Sequence, residues 1–582
     1  MIASRGGRTL LLACLVVAAC RSTPPVAEKR LVATPAMLDQ HCREAVGSPR
    51  VMQVTPNVYV AIGYDLANTI LIRTPVGNVV VDAMMSPTRS KQAKAELLKV
   101  APGPTKALIL THSHIDHVGG ASEWAEPGTE IWATDAFLGH FIKQYGVFQK
   151  AEQRRGSRQF ANHVPTTSLP CSALGRRPSF DSAIGSGARA PTKTFSGSTT
   201  LDFGGMQIEL VEAHGETDDQ LFVWVPSEKA LMPGDNWYRA FPNLYTIRGT
   251  RPRPVGEWIA SIDAMRARQP EHLVPSHTAP LSGGAAIRET LTDYRDAIEW
   301  IRSSVVRGAN AGKPLDELAN TVGLPPHLLG KRELLELYGQ IDWSVRAIFT
   351  NELGWFDGDP AALYRPSDRD TAAREVRLMG GVPKVHQLAL DALEQGDARW
   401  ATHLLHKLQL SGLLDEDTGK VIVSDLTRAL RAVAKDVSNT NGRGYLLESA
   451  FELEKGPETP HRPSVDDTLL RSIPIRVFFE AMPSRLKPEE AIDVVETLEV
   501  FVTDENQRYF LTVRRGVGEL AIGTPLPGTP KPVATVETDA LTWKRTALNL
   551  DSPAASIASG RLKVKGSVLD LKRFTDRFER GL

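Results

Sequence analysis

The chain has 582 residues, 42% hydrophobic and 23% charged, and its 68 basic side chains balance 68 acidic ones. Such a composition builds large cores and excludes a disordered chain, and at about one domain per 150 residues the length calls for three or four domains. A net charge of zero without any basic block leaves no footprint for nucleic acid, so that class of partner is set aside.

The N-terminus reads as an address. Arg5 and Arg8 form a positive start, residues 10–19 an apolar run too short for an ordinary spanning helix, and Val17-Ala18-Ala19-Cys20 resembles the bacterial lipobox. On that reading residues 1–20 are a lipoprotein signal peptide, Cys20 carries a lipid anchor to the membrane, and 21–45 is a tether. The expected location is the bacterial cell envelope, facing the periplasm; an uncleaved anchor or a cytoplasmic start is the alternative. Of the four cysteines, Cys14 would be removed and Cys20 lipidated, leaving Cys42 and Cys171 as the sole pair available for a disulfide in an oxidising compartment. Their spacing shows neither that they meet nor any metal-ligand pattern.

Residues 51–60, 68–72 and 78–82 run apolar or alternate between Gly and Pro punctuation, as consecutive strands do, and 90–100 has helical spacing. The apolar run Ala107-Leu108-Ile109-Leu110 predicts a buried strand. It delivers Thr111-His112-Ser113-His114-Ile115-Asp116-His117-Val118-Gly119-Gly120, with three histidines and an aspartate inside six residues. His112 and His114 lie on one side of an extended backbone and can grip one ion, while Asp116 and His117 point to a second position nearby. Imidazole with carboxylate and no thiolate suits zinc, with iron and manganese as alternatives. This H-x-H-x-D-H run followed by Gly-Gly resembles the metallo-β-lactamase superfamily. The resemblance implies an αβ/βα sandwich with a two-metal site at the strand ends, a domain spanning 46–310, and a supporting role for Asp82 behind the metal loop.

From 145 to 195 the chain turns rich in Gly, Arg, Ser and Pro and loses periodicity, which predicts a lid or binding loop, or disorder. Order resumes at 207–211 and reaches Ala213-His214-Gly215-Glu216. Motif position puts Glu216 where most of the superfamily has a ligand histidine; His214, two residues earlier, is its rival. A hairpin of 221–225 and 230–232 leads to Pro233-Gly234-Asp235, the place of the superfamily's bridging acid, and 272–277 is a short strand ending in His277, the expected last ligand. The implied set is His112, His114 and Glu216 on one Zn2+, Asp116, His117 and His277 on a second, and Asp235 between them. Two such ions lower the pKa of water and neutralise an anionic ester.

Asn243-Leu244-Tyr245-Thr246-Ile247-Arg248-Gly249, together with Glu216 in place of histidine, resembles the alkylsulfatase family, the dodecyl sulfate hydrolases. The resemblance implies that Asn243 and Arg248 contact a sulfo group and serve catalysis with Asp116. It extends through Tyr338-Gly339-Gln340-Ile341-Asp342-Trp343-Ser344 in a site-closing region (311–367), an all-α dimerisation domain (368–460) and a C-terminal α+β sterol-carrier-protein-like domain (464–582). That last domain holds an aliphatic tail or is a plain packed core. Asp235, Pro242, Trp343, Phe160 and Ser276 depart from the family pattern, so the metals are expected to survive while the anion pocket loses donors and no general acid is assigned. The implied protein is a homodimeric, binuclear zinc hydrolase of a small anionic alkyl or aryl sulfate ester. A metallohydrolase of phosphate esters or lactones is the enzymatic alternative, and an envelope lipid-binding module the non-enzymatic one.

Overall fold

The computed structural model describes residues 31–145, 148–178, 187–457 and 467–579. The expected signal peptide and Cys20 lie outside them. β1 (Arg50–Gln53), β2 (Val58–Ile62), β3 (Thr69–Thr74), β4 (Gly77–Val81), β5 (Thr105–Ile109), β6 (Glu130–Thr134) and β7 (Lys193–Phe195) form one sheet in sequential order, antiparallel as far as β4 and parallel beyond it. β8 (Ser198–Phe203), β9 (Met206–Glu212), β10 (Leu221–Val225), β11 (Ala230–Met232), β12 (His272–Leu273) and β13 (Leu281–Ser282) form the second, antiparallel except where β11 meets β12.

Side-chain alternation sets the layers. Val58, Val60 and Ile62 of β2 pack with Ile208, Leu210, Val223 and Met232 of the facing sheet, while Tyr59 and Ala61 turn outward beneath the helix Pro87–Val100. On the far side Phe222, Trp224 and Leu231 lie under the helices Val255–Ala267 and Gly284–Asn310. Both faces of β2 and β10 are therefore buried, which is why these strands read as unbroken apolar runs. The result is the helix, sheet, sheet, helix order of the αβ/βα sandwich. The expected strand at 51–60 is two strands, because Thr55 Oγ1 accepts the amides of Asn57 and Val58 and turns the chain.

Two expectations need correction. The stretch assigned to the tether folds from Pro35 on: a helix (Pro35–His41) buries Leu38, Val46 is buried just beyond it, and Cys42 is bonded to Cys171, 129 residues away. The excursion at 145–195 holds the regular helix Gln149–Phe160, which lies along the helix Thr440–Lys455. Polar contacts make that union. Arg158 pairs with Glu452 at 2.6 Å, and the buried Glu448 accepts from Ser157 Oγ and from the backbone and ring of His163.

Helices Asp368–Leu378, Val382–Glu394, Ala398–Leu410, Glu416–Asp436 and Thr440–Lys455 share the core of Val385, Ala389, Leu404, Leu405, Leu408 and Ile422. Ser367, Asp397, Asp415 and Asn439 cap four of their N-termini. The C-terminal domain is a five-stranded sheet, β14 (Val495–Val502), β15 (Gln507–Arg514), β16 (Val517–Ile522), β17 (Pro532–Thr538) and β18 (Leu562–Gly566), ordered β16-β15-β14-β17-β18. Its centre is packed: Phe479 stacks on Tyr509 at 4.0 Å and on Trp543 at 5.1 Å.

Candidate metal centre and anion site

β5 ends in the parallel part of the first sheet, and Thr111 to His117 leave it as a loop and a single helical turn, Ile115–Val118. The two glycines that follow are steric necessities, since a Cβ at Gly119 would meet Met85 O and one at Gly120 would meet Ala83 O. Close approach of the 83–85 loop brings Asp82 beneath the histidines. Asp82 is fully buried at a positive φ of 58° and accepts from Thr111 N and Thr111 Oγ1, both at 2.9 Å, from Ser276 Oγ at 2.6 Å and from His117 Nδ1 at 2.7 Å.

Outer partners fix the rings. With Nδ1 of His117 on Asp82, Nδ1 of His277 on Leu66 O at 2.9 Å and Nδ1 of His112 on Thr111 Oγ1 at 3.1 Å, each of these imidazoles turns Nε2 inward. His114 is reversed: its Nδ1 lies 2.8 Å from His112 Nε2, and its Nε2 faces Arg248. His117 Nε2 is 3.5 Å from Asp116 and 3.4 Å from Asp235, while His277 Nε2 is 3.4 Å from Asp116 and 3.2 Å from Asp235. Glu216 comes within 3.8 Å of His114 Nδ1. The structure thus brings together all seven side chains implied as ligands, in three overlapping groups: His112, His117 and Asp235; Asp116, His117 and His277; His114, Glu216 and Asp235.

This donor set fits cations. His117 Nε2 and Asp235 Oδ1 are buried with no hydrogen-bond partner, so the cluster's own atoms leave its centre unsatisfied. Burial holds His112 and His114 far below the usual imidazole range, in the neutral form that ligates. Burial opposes ionisation of Asp116 and Asp235 too, but His117 and His277 outweigh it, holding Asp116 at about 2 and Asp235 well below the carboxylate range. The carboxylates in turn drive His117 and His277 upward against their burial, so that in the metal-free protein protons occupy the place of positive charge. Glu216 is pushed up to about 7 by burial, with Arg253 opposing. His214, the rival ligand, points elsewhere: its nitrogens meet Glu212 at 2.9 Å and Glu257 at 2.5 Å.

The anion segment follows β11. Arg248 donates from Nη1 to Glu152 Oε1 at 2.7 Å, and its Nη2 lies 3.3 Å from His114 Nε2. Asn243 is buried, its amide N–H donating to Tyr238 Oη at 2.8 Å and its carbonyl accepting from Arg253 Nη1, which also binds Glu216.

Three family models match the chain: the metallo-beta-lactamase superfamily over residues 62–277, alkyl sulfatase dimerisation over 314–456 and the alkyl sulfatase C-terminal domain over 463–581. A linear primary-alkylsulfatase of a Pseudomonas species is 31% identical over 88% of this chain and 98% of its own length. The chain belongs to the alkylsulfatase family. An (R)-specific secondary-alkylsulfatase of a Pseudomonas species is 27% identical over 90% of this chain and 80% of that one. The solved structure of a stereoselective inverting sec-alkylsulfatase from Pseudomonas superposes with a TM-score of 0.84 at 25% identity, covering 95% of this chain and 88% of the other. As an alkylsulfatase-family member the chain is a metal-dependent sulfuric-ester hydrolase, and the non-enzymatic reading falls away.

Within that family frame, the site contains residues that sequence reasoning missed. Arg253 has 2% of its side chain exposed and ties Glu216, one of the candidate ligands, to the carbonyl of Asn243; lying between Pro252 and Pro254, it carries no motif that marks it. Asn236 accepts from Glu216 N at 3.0 Å and donates to Ala213 O at 2.7 Å, and a Cβ at Gly215 would collide with it. Glu152 comes from the stretch read as a lid without elements. Of the departures from the family pattern, Ser276 has found work on Asp82, and Trp343 packs beside Gly442.

Proposed function

We propose that this hydrolase cleaves a small, singly charged alkyl or aryl sulfate ester at a centre of two zinc ions, held by His112, His114, Asp116, His117, Glu216, Asp235 and His277. The observation that carries the reading is the fork of Arg248 at 3.3 Å from His114, an anion-binding guanidinium set against a buried ligand cluster. The names of the relatives, alkylsulfatases of primary and secondary esters, support the same substrate class. Bound divalent cations would supply Lewis acidity, making water nucleophilic at neutral pH and absorbing charge on the ester. The chain's own groups orient the substrate. Arg248 offers planar donors to the tetrahedral sulfo oxygens, Asn243 adds a neutral donor, and Arg253 couples the placement of Asn243 to Glu216. Asp82 and Leu66 O hold the rings of His117 and His277 in one tautomer and one orientation.

Kinetics of the zinc-loaded protein on matched sulfate and phosphate esters, with Asp116→Ala as blank, test this. Sulfate turnover that exceeds phosphate turnover and vanishes in the blank is expected; preference for phosphate would establish the rival ester class instead. Hydrolysis in oxygen-18 water then assigns the bond cleaved, since label in sulfate marks attack at sulfur and label in the alcohol attack at carbon.

The assembly is read as a homodimer through residues 314–456, whose exposed Trp355, Tyr364 and Leu378 suit a second copy. The location is read as the periplasmic face of the bacterial envelope, with a lipid on Cys20. The disulfide of Cys42 and Cys171 accords with an oxidising compartment, and among the described residues no helix is long and apolar enough to cross a membrane. Radiolabelled palmitate incorporation that Cys20→Ser abolishes is the expected result.

A further inference from the structure

The guanidinium assigned to the sulfo group already has a carboxylate on it. Arg248 gives Nη1 to Glu152 at 2.7 Å, and Gln144 Nε2 donates to the same carboxylate oxygen at 3.0 Å. Only 13% of the Glu152 side chain is exposed.

Its helix is not a loose lid. Residues 152, 155 and 159 share one face at helical spacing, and all three address the anion segment. Arg155 donates from Nε and Nη2 to Ile247 O at 3.2 and 2.8 Å, and Gln159 Oε1 accepts from Thr246 Oγ1 and Arg248 N, both at 2.9 Å. Ser157 and Arg158 meanwhile fasten the helix to Thr440–Lys455. Glu152 is thus presented to Arg248 from a braced wall, and its carboxylate is a fixed part of the pocket.

A sulfate monoester carries one negative charge at neutral pH, whereas a phosphate monoester, with a second pKa near 6, carries close to two. The reaction itself crosses that boundary: ester monoanion plus water gives alcohol, a proton and the sulfate dianion. A carboxylate sharing the anion-binding arginine bears more heavily on a dianion than on a monoanion. We propose that Glu152 is the residue that selects by charge in this pocket, admitting singly charged sulfate monoesters while disfavouring phosphate monoesters and the sulfate dianion released as product. This rests on the reading of Arg248 as the sulfo contact.

The test uses the full-length, zinc-loaded protein at pH 8. Methyl sulfate, methyl phosphate and inorganic sulfate are each assayed as competitive inhibitors of the hydrolysis of a chromogenic aryl sulfate, their inhibition constants giving the affinities, for the unmodified protein and for Glu152→Gln, Glu152→Asp and Arg248→Ala, with zinc content measured for each. In Glu152→Gln the affinity for methyl phosphate relative to methyl sulfate is expected to rise about 10- to 100-fold, with inhibition by inorganic sulfate strengthening alongside, on the scale of one added like charge in a partly buried site. Glu152→Asp, which keeps the charge, should hold the ratio near that of the unmodified protein. An unchanged ratio in Glu152→Gln overturns the proposal, whether both ligands gain together, as for a mere occupant of Arg248, or lose together, as for a brace. If Arg248→Ala leaves methyl sulfate affinity intact, the assignment of Arg248 fails and takes this selector with it; a changed Arg248→Ala affinity with an unchanged Glu152→Gln ratio sinks the selector alone.

Discussion

Glu216 and His214 stand two residues apart in a stretch where either could ligate, and only three dimensions separate them. Glu216 turns inward to His114 and Arg253, whereas His214 sits between Glu212 and Glu257 on the outer side. Glu216→Ala should lose bound zinc, by elemental analysis, while His214→Gln should keep both ions. His214 should show itself in stability instead. Burial lowers its pKa, but the two glutamates outweigh that and raise it above 6.5. Its contribution is therefore fully present below pH 6.5 and lost as pH rises through the folded-state value. The difference in thermal midpoint between pH 5.5 and pH 8.5 should accordingly shift in His214→Gln, towards less relative stability at the acid end; an unshifted difference, or lost zinc, would contradict the assignment. Legibility at this scale follows locality. The histidine run was readable because ligand types cluster in six residues, whereas Arg253, Asn236 and Glu152 act as single side chains whose partners lie far along the chain.

Elements were readable where their burial is written in apolar residues. β2, β10 and the helix Pro87–Val100 meet cores made of their own neighbours, so periodicity announces them. The helix Gln149–Phe160 has Gly156 at its middle and four charged residues facing ions and carbonyls, so no apolar stripe marks it, and its partner begins at Thr440. β16 is likewise a half-buried edge strand behind the Arg515-Gly516 turn, with Gly518 and Glu519 breaking its pattern. Because the Gln149–Phe160 helix touches both the anion segment and the helical region, the two should be coupled through it. Gly444 is where that coupling can be pried open, since a Cβ there would strike Gln159 O, and Gln159 holds the Arg248 backbone. Gly444→Val should raise KM for a sulfate ester about tenfold while zinc content stays constant, a displacement of the kind that costs affinity without dismantling the centre. Unchanged KM would show that the helix carries no positional information into the pocket.

Across the molecule the ligand cluster works as a clasp between the two sheets. His112, His114, Asp116 and His117 follow β5 of the first sheet, whereas Glu216, Asp235 and His277 come from turns of the second, between β9 and β10, after β11 and after β12. Four carboxylates are gathered there, Asp82, Glu216 and Asp235 buried and Asp116 half-buried. Removing cations leaves that charge to be met by protons on His117 and His277, both raised by the neighbouring acids. Metal binding should therefore release protons at neutral pH, measurable as a buffer-dependent heat in calorimetry, and apparent affinity should fall as pH falls. Each ion held at a thousand times its dissociation constant stabilises the fold that binds it by about 4 kcal/mol. The C-terminal domain has its own aromatic core and no share in the cluster. Chelation should thus lower the melting transition of the sandwich and leave that of the C-terminal domain in place, as hydrogen exchange resolved by peptide would show: protection lost around residues 107–120 and 213–277, and retained across β14, β15 and β17. Equal loss in both regions would mean that the clasp is a minor support and that the domains melt as one body.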